Sequence, residues 1–271
     1  MSRHQRLNDI LRLLSEDGHL DVEEAVERLG VSAATVRRDF DHLAEQQLLT
    51  RTHGGAVTAA GSYDLPLRYK IARHADEKLR IASAAAEMVG LGSTIALNGG
   101  TTTNEVARAI ASRPDLAVSD SGPRVTVVTN ALNIATELAV RPYIKILVLG
   151  GVARPQSYEL IGPLGTSILE QINVDIAFLG VDAVDAEHGA TAHHEGEASI
   201  NRQIAARAAR VVVVADSSKV GKSAFALICP ADDFDVLLTD SEPDESERAR
   251  FAERGVDVVV ADTGSSLGRT T

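Results

Sequence analysis

Gly30-Val31-Ser32-Ala33-Ala34-Thr35-Val36-Arg37-Arg38-Asp39-Phe40-Asp41-His42-Leu43, followed by Leu48-Leu49-Thr50-Arg51-Thr52-His53-Gly54-Gly55-Ala56, reads as a tight turn, a helix and a short hairpin. Ser32 is placed to cap the helix, its hydroxyl accepting from a free amide of the first turn. Val36, Phe40 and Leu43 recur at helical spacing and form the buried stripe. Thr35, Arg37 and Arg38 lie off that stripe, so the outer face carries hydroxyl and guanidinium groups. Such a face suits a DNA major groove, where these groups meet phosphates and base edges. Gly54-Gly55 predicts a turn of unusual backbone freedom, the tip of a wing with Arg51 and His53 at its edge.

Working outward toward the N-terminus, Leu7, Ile10, Leu11 and Leu14 give one apolar face to a helix over Ser2–Ser15, ended by Asp17-Gly18. His19-Leu20 is expected as a short strand pairing with the wing. Asp21 is expected to cap a second helix, Val22–Leu29, with Glu23 and Glu24 in its first turn. Gly30 then turns the chain into the outer helix. These elements make a winged helix-turn-helix, and the run VSAATVRRDFDHL with LLTRTHGGA closely resembles the signature of DeoR-type bacterial transcription regulators. The resemblance implies operator contacts from Ser32, Ala33, Ala34, Thr35, Arg37 and Arg38 on the helix and from Arg51, His53 and Gly54 on the wing.

Charge constrains how such a head can work. The 271-residue chain has a net charge of −11, and the part through Val57 carries seven Arg against ten Asp and Glu. DNA contact must come from a local patch, non-specific affinity should be weak, and several heads on repeated sites are needed. A homo-oligomer, dimer or tetramer, is therefore expected, bound to double-stranded operator DNA. The single Cys229 excludes an intrachain disulfide framework and fits a reducing cytoplasm; as part of Leu227-Ile228-Cys229-Pro230 it reads as a small buried residue. No apolar run is long enough to span a membrane, and the N-terminus reads as an amphipathic helix in place of a signal peptide. Cytoplasmic location follows, with nucleoid association when bound to DNA.

The domain division expected is 1–57 for the winged head, 58–75 for a linker, 76–262 for an α/β domain and 263–271 for a tail. Ala59-Ala60-Gly61-Ser62 suits a flexible linker, whereas Leu65-Pro66-Leu67-Arg68-Tyr69 is expected to dock on a domain. From Asp76 onward short apolar runs alternate with helical patterns. Strands are expected at Thr94–Leu97, Val125–Thr129, Ile144–Leu149, Val174–Leu179, Val211–Ala215, Val236–Thr239 and Val256–Val260. Helices are expected at Lys78–Val89, Asn104–Ala111, Ala131–Ala139, Ser199–Ala209 and Glu245–Arg254. Strands apolar on both faces belong to a parallel sheet covered by helices, so a doubly wound, mostly parallel α/β layer structure is expected.

Ligands of such sheets bind beyond the strands' carboxyl ends. The first strand ends in Asn98-Gly99-Gly100-Thr101-Thr102-Thr103, where two glycines admit a close backbone approach and Thr hydroxyls with a helix's first amides can hold an anion. It is not a Walker loop, since no Gly-Lys-Ser/Thr follows. Later strands end in Thr129-Asn130, Gly150-Gly151, Val181-Asp182 and Asp216-Ser217-Ser218-Lys219. Lys219 is either a phosphate partner or a solvated loop residue, and Asp182 and Asp216 either bond sugar hydroxyls or cap turns. In Gly189-Ala190-Thr191-Ala192-His193-His194-Glu195-Gly196-Glu197 adjacent His side chains point apart, so no metal is expected. Glu197 and, further along the same helix, Arg202 are candidates to reach the ligand.

The ordered runs Asn-Gly-Gly-Thr-Thr-Thr, Val-Thr-Asn, Leu-Gly-Gly, Phe-Leu-Gly-Val-Asp, Asp-Ser-Ser-Lys and Leu-Thr-Asp resemble the DeoR sensor domain, which is similar to ribose-5-phosphate isomerase and glucosamine-6-phosphate deaminase. The resemblance implies a regulator of carbohydrate genes, commonly a repressor, with a phosphorylated sugar or related metabolite as effector and no resident cofactor. It places an acidic residue near Glu197. The family commonly has Asp at the position of Asn98, a change expected to alter which hydroxyls or amines are preferred. The competing reading is a sugar-phosphate isomerase or deaminase with a DNA-binding head, for which Glu197 and Asp182 are the candidate bases. The acidic cluster of an isomerase is not evident, so the chain is read as a non-enzyme.

Overall fold

The computed structural model describes residues 2–46, 48–58, 66–71, 73–117 and 122–262. The tail expected at 263–271, and residues 59–65 and 72 of the expected linker, lie outside them. The chain divides into two compact units, Met1–Arg73 and His74–Thr271.

The first unit runs α1 (Arg3–Asp17), β1 (His19–Asp21), α2 (Val22–Leu29), α3 (Ala33–Glu45), β2 (Leu49–Arg51), β3 (Gly55–Thr58) and a single turn, α4 (Leu67–Lys70), whose Leu67 is buried. Ser2 caps α1 by accepting from Gln5 N at 3.2 Å; the helix runs to Asp17, two residues beyond the expected Ser15, and Gly18 ends it in the left-handed region. Leu7, Ile10 and Leu14 of α1 pack with Val36, Phe40 and Leu43 of α3 in one core. β1 pairs antiparallel with β3, and β3 with β2, so the strand expected at His19-Leu20 does complete the wing. Ser32 caps α3 by accepting from Thr35 N at 3.3 Å, with Gly30 at φ 65° before it.

Two local expectations fail. Asp21 stands at the start of α2 but makes no side-chain cap. Its carboxylate faces His19 Nε2 at 3.2 Å, and the Val22 amide bonds Gly54 O at 3.0 Å. Nor do Gly54 and Gly55 adopt a backbone reserved for glycine, since neither has positive φ. Gly55 is required for another reason: a Cβ there would lie 2.3 Å from Leu20 O, so the wing lies against β1 only because the side chain is missing.

The second unit runs α5 (Ala75–Glu87), β4 (Thr94–Leu97), α6 (Thr101–Ala111), α7 (Pro114–Ala117), β5 (Val125–Thr129), α8 (Leu132–Leu138), β6 (Ile144–Val148), β7 (Val152–Arg154), β8 (Glu159–Ile161), α9 (Thr166–Leu169), β9 (Val174–Gly180), β10 (Ala183–Asp185), β11 (Gly189–Ala192), α10 (Glu195–Ala206), β12 (Ala208–Val214), β13 (Ala226–Cys229), β14 (Val236–Thr239), α11 (Glu245–Glu253) and β15 (Asp257–Val260). The strands expected from apolar runs form one seven-stranded sheet in the order β15-β14-β12-β9-β4-β5-β6. Every neighbouring pair in it is parallel. Ile81, Val106, Ile110, Ile134 and Leu138 cover one face; Ile200, Ile204 and Phe251 cover the other. From β4 the chain winds outward through β5 and β6, then returns to β9 and winds the other way. The reversal puts the switch point between β4 and β9, beyond whose carboxyl ends sheets of this kind take their ligands.

Two small antiparallel pieces were not expected: the β7–β8 hairpin and the β10-β11-β13 sheet. Their strands are three or four residues long, too short for a period to register.

Candidate nucleic-acid interface and candidate ligand site

In the first unit, Ser32, Ala34, Arg37 and Arg38 are exposed, whereas Ala33 and Thr35 are half-buried. The Ser32 and Thr35 hydroxyls lie 3.0 Å apart, and Arg38 Nε donates to Ala34 O at 3.2 Å. His53 and Gly54 are exposed at the wing tip. Arg51 turns back onto α3 instead: its guanidinium lies 5.5 Å above the Phe40 ring, and its Nε is 3.6 Å from Asp41. The neighbour of the Arg pair, Asp39, points inward and is only 3% exposed. It accepts from Arg6 Nε at 2.5 Å and Nη2 at 3.3 Å, and this hydrogen bond holds the Arg6 guanidinium above its ordinary pKa. The Arg-Arg-Asp run thus offers two cations outward and spends the acid on tying α3 to α1. Sequence reading counted Asp39 and Arg6 only as charges.

In the second unit the switch point is bridged by Asn98. Its Nδ2 donates to Gly180 O and its Oδ1 accepts from Gly180 N, both at 2.8 Å. These two bonds set the spacing of β4 and β9 and use one of the amide's two N–H groups and one lone pair of its oxygen. Beyond it Gly100 stands at φ 152° and opens α6, which has no side-chain cap. Thr101 is half-buried; Thr102 and Thr103 are buried. Thr103 Oγ1 donates back to Gly100 O at 3.3 Å, whereas Thr102 Oγ1 is buried without a partner. An uncapped helix start beside an unsatisfied hydroxyl is an arrangement that an anion completes.

Of the other candidates, Thr129 Oγ1 accepts from Ala131 N at 3.0 Å, and Asn130 is buried with its Oδ1 unpartnered. Gly151 has φ 146°, and a Cβ there would meet Ile161 O at 2.6 Å; one at Gly150 would meet Leu164 O at 3.3 Å. Gly151 therefore admits the end of the β7–β8 hairpin, and Gly150 the turn that follows it. Asp182 Oδ2 accepts from His193 N at 2.9 Å. Lys219 Nζ donates to Val181 O at 2.6 Å, placing it beside the end of β9. Burial opposes ionisation of Asp216, but Lys219, the Ser218 hydroxyl, His74 and Lys78 together hold its carboxyl below the ordinary range. Arg202 lies apart from this group, donating to the main-chain oxygens of Leu227 and Ile228. His194 caps α10, its Nδ1 accepting from Gly196 N at 3.0 Å.

The hairpin supplies residues that sequence reading missed. Glu159 is 2% exposed, and its Oε1 accepts from Gly99 N at 2.7 Å and Asn130 Nδ2 at 3.4 Å. Gly99 must be glycine because its Cβ would lie 2.2 Å from Glu159 Cγ. Glu197, from the first turn of α10, lies beside Glu159 and receives Arg154 Nη1 at 3.0 Å. Burial, then the Glu197 charge, push the Glu159 carboxyl up to about 8, against the pull of Gly99 and Asn130. The only hint in the sequence was a Glu in an otherwise apolar run, Glu159-Leu160-Ile161, after Gly150-Gly151.

Residues 6–60 match the description "DeoR-like helix-turn-helix domain" and residues 73–241 the description "DeoR C terminal sensor domain". The glycerol-3-phosphate regulon repressor of Escherichia coli K12 is 33% identical over 243 residues, covering 90% of this chain and 93% of that protein. The HTH-type transcriptional regulator GlpR of Haloferax volcanii is 33% identical over 257 residues, 94% and 96% of the two chains. The transcriptional repressor AccR of Agrobacterium fabrum is 34% identical over 242 residues, 89% and 90%. Among solved structures, ribose 5-phosphate isomerase A of Methanocaldococcus jannaschii aligns with a TM-score of 0.40 at 22% identity, over 54% of this chain and 55% of that one.

Proposed function

Because this chain belongs to the DeoR family of transcriptional regulators, we propose that it is an operator-binding repressor of carbohydrate genes, released or engaged by a phosphorylated sugar or related anionic metabolite. Arg37 and Arg38 meet the major groove with Ser32 and Thr35 beside them, and His53 and Gly54 follow the backbone from the wing. Arg51 acts at one remove, bracing α3 through Phe40. The effector's anion sits at the start of α6, among Gly99, Gly100 and Thr101 to Thr103, with Lys219 approaching from the end of β9. The observation that carries the ligand half of this reading is the buried, unpartnered Thr102 hydroxyl at an uncapped helix start.

The effector acts only through a difference in its affinity for the DNA-competent and DNA-incompetent arrangements of an oligomer. An acidic chain needs that oligomer, since one head offers few phosphate contacts. The enzyme reading gains nothing from the geometry: Glu197 is held by Arg154 and Asp182 by the His193 amide. No helix among the described residues is long and apolar enough to cross a membrane; the proposed place of action is the cytoplasm, on the nucleoid.

The test is fluorescence anisotropy of the full chain on DNA from upstream of its own gene, titrated with sn-glycerol 3-phosphate, sugar phosphates and free sugars. A phosphate ester that changes operator affinity, with no effect in Thr102→Ala or Lys219→Ala, supports the proposal. A response to neutral sugars alone would overturn its ligand half.

A further inference from the structure

Four separate segments meet at one buried carboxyl group. Glu159, on β8, takes the Gly99 amide from the loop after β4 and the Asn130 amide from the loop after β5. It also touches Glu197 from α10, which Arg154 of β7 holds in place. Glu197 is the charged group set beside it, with Arg154 reached through Glu197; the bonds from the two loops come from neutral donors. Two buried carboxyl groups set side by side favour holding one proton, because their like charges repel and one guanidinium does not neutralise both. Two further atoms at this place lack partners: Asn130 Oδ1, on the same amide that reaches Glu159, and Thr102 Oγ1, in the helix turn that Gly99 leads into. The residues bearing them are 0% and 2% exposed, so water does not satisfy them from bulk.

We infer that Glu159 is a positioning residue of the anion loop: its carboxyl group, holding a proton in common with Glu197, fixes the Gly99 amide, and an anion entering that loop is bound together with this proton. The inference rests on the anion-loop reading proposed above and adds its regulation. When the pair has lost its proton, Glu159 brings a full negative charge to the amide that leads into the uncapped start of α6, and an anion there is repelled. When the pair holds the proton, that repulsion is absent. Burial and Glu197 already favour the protonated state, consistent with the carboxyl being raised to about 8. Glu159 itself does not touch the ligand; it acts through Gly99.

Two experiments on the full chain test this. The first is calorimetric titration with sn-glycerol 3-phosphate between pH 7 and 9, above the ester's own last titration at about 6. Affinity should fall about tenfold per pH unit on the alkaline side of the pair's titration, as uptake of one proton requires. In Glu159→Gln the Gly99 acceptor remains and the proton is gone, so binding should persist and be flat over that range. In Glu159→Ala binding should be lost. The second is the stability of the ligand-free protein against urea at pH 5 to 8. A carboxyl raised in the folded state adds stability that is complete below its unfolded value and is lost as pH rises through the folded value. Wild type should lose stability relative to Glu159→Gln across this window.

A wild-type affinity that is flat with pH, or a slope that survives in Glu159→Gln, overturns the inference. So does an identical pH dependence of stability in the two proteins. If no phosphate compound binds at pH 7 while the stability difference is present, the anion-loop reading fails and the coupling to anion uptake falls with it, the proton itself being then shown to be purely structural.

Discussion

Replacing Asp39 by Asn strips the first unit of the one deeply buried acid among its described residues while changing almost nothing in volume. Asp39 is 3% exposed and receives two hydrogen bonds from Arg6, whose side chain is itself only 13% exposed. After Asp39→Asn the Arg6 charge stays inside without its counter-ion. One amide position still accepts from Nε; the other turns a donor toward Nη2. Removing one member of a buried ion pair costs about 3–5 kcal/mol. The lower end applies here, because Arg6 keeps some water and one hydrogen bond. Arg3, at 3.8 Å and 61% exposed, adds little. About 3 kcal/mol corresponds to a change of roughly a hundredfold in the opening equilibrium of the head. Hydrogen exchange read by mass spectrometry on the full chain measures this directly. Peptides from Arg3–Asp17 and Ala33–Glu45 should lose about two decades of protection, while peptides from the seven-stranded sheet serve as the unchanged internal reference. The double variant Arg6→Met with Asp39→Leu should recover most of the loss, since two apolar residues leave no stranded charge. Protection within threefold of wild type in Asp39→Asn would refute the claim that this pair ties α3 to α1.

Arg37→Ala should weaken operator binding by at least tenfold and flatten its dependence on salt by about one counterion, with hydrogen exchange of the sheet unaltered; anisotropy titrations at several salt concentrations read both. Gly55→Ala puts a methyl group 2.3 Å from Leu20 O and should displace the wing from β1, costing about 2 kcal/mol or more of head stability, whereas Gly54→Ala, with its nearest contact at 3.8 Å, should cost well under 1 kcal/mol; thermal unfolding of the two variants gives the comparison. Asn98→Asp replaces the donor facing Gly180 O by an acceptor and should destabilise the second unit by about 2 kcal/mol at neutral pH; an unchanged urea midpoint would show that β4 and β9 keep their spacing without that bond. Cys229, buried and pushed up to about 12 by desolvation and then by Asp233, should resist iodoacetamide at pH 8 until the protein is unfolded, as intact mass would report.

Much of this protein is local, and local features survive in the sequence. The stripe Val36, Phe40, Leu43 and the cap at Ser32 depend on neighbours three or four residues away, so helix and period are legible together. The strands of the large sheet are legible because burial on both faces leaves an unbroken apolar run, as in Val211-Val212-Val213-Val214. Their carboxyl ends mark where sheets of this kind take ligands, which makes Gly99, Gly100 and Thr102 candidates. What the sequence could not determine is which charged residue faces which partner. Asp39 reads like Asp41 in a list of charges, yet a helical turn of about 100° per residue sends one onto Arg6 and leaves the other outside beside Arg51. Asn98 reads only as a ligand residue, and that its amide also bonds both main-chain groups of Gly180 depends on the reversal of strand order. Glu159 and Glu197 are separated by the whole of β9 to β11, and Gly99 lies far before both. Only the packing of a short hairpin and a helix start beside the loop after β4 brings these acids together, and the desolvation that raises Glu159 exists only in that folded arrangement.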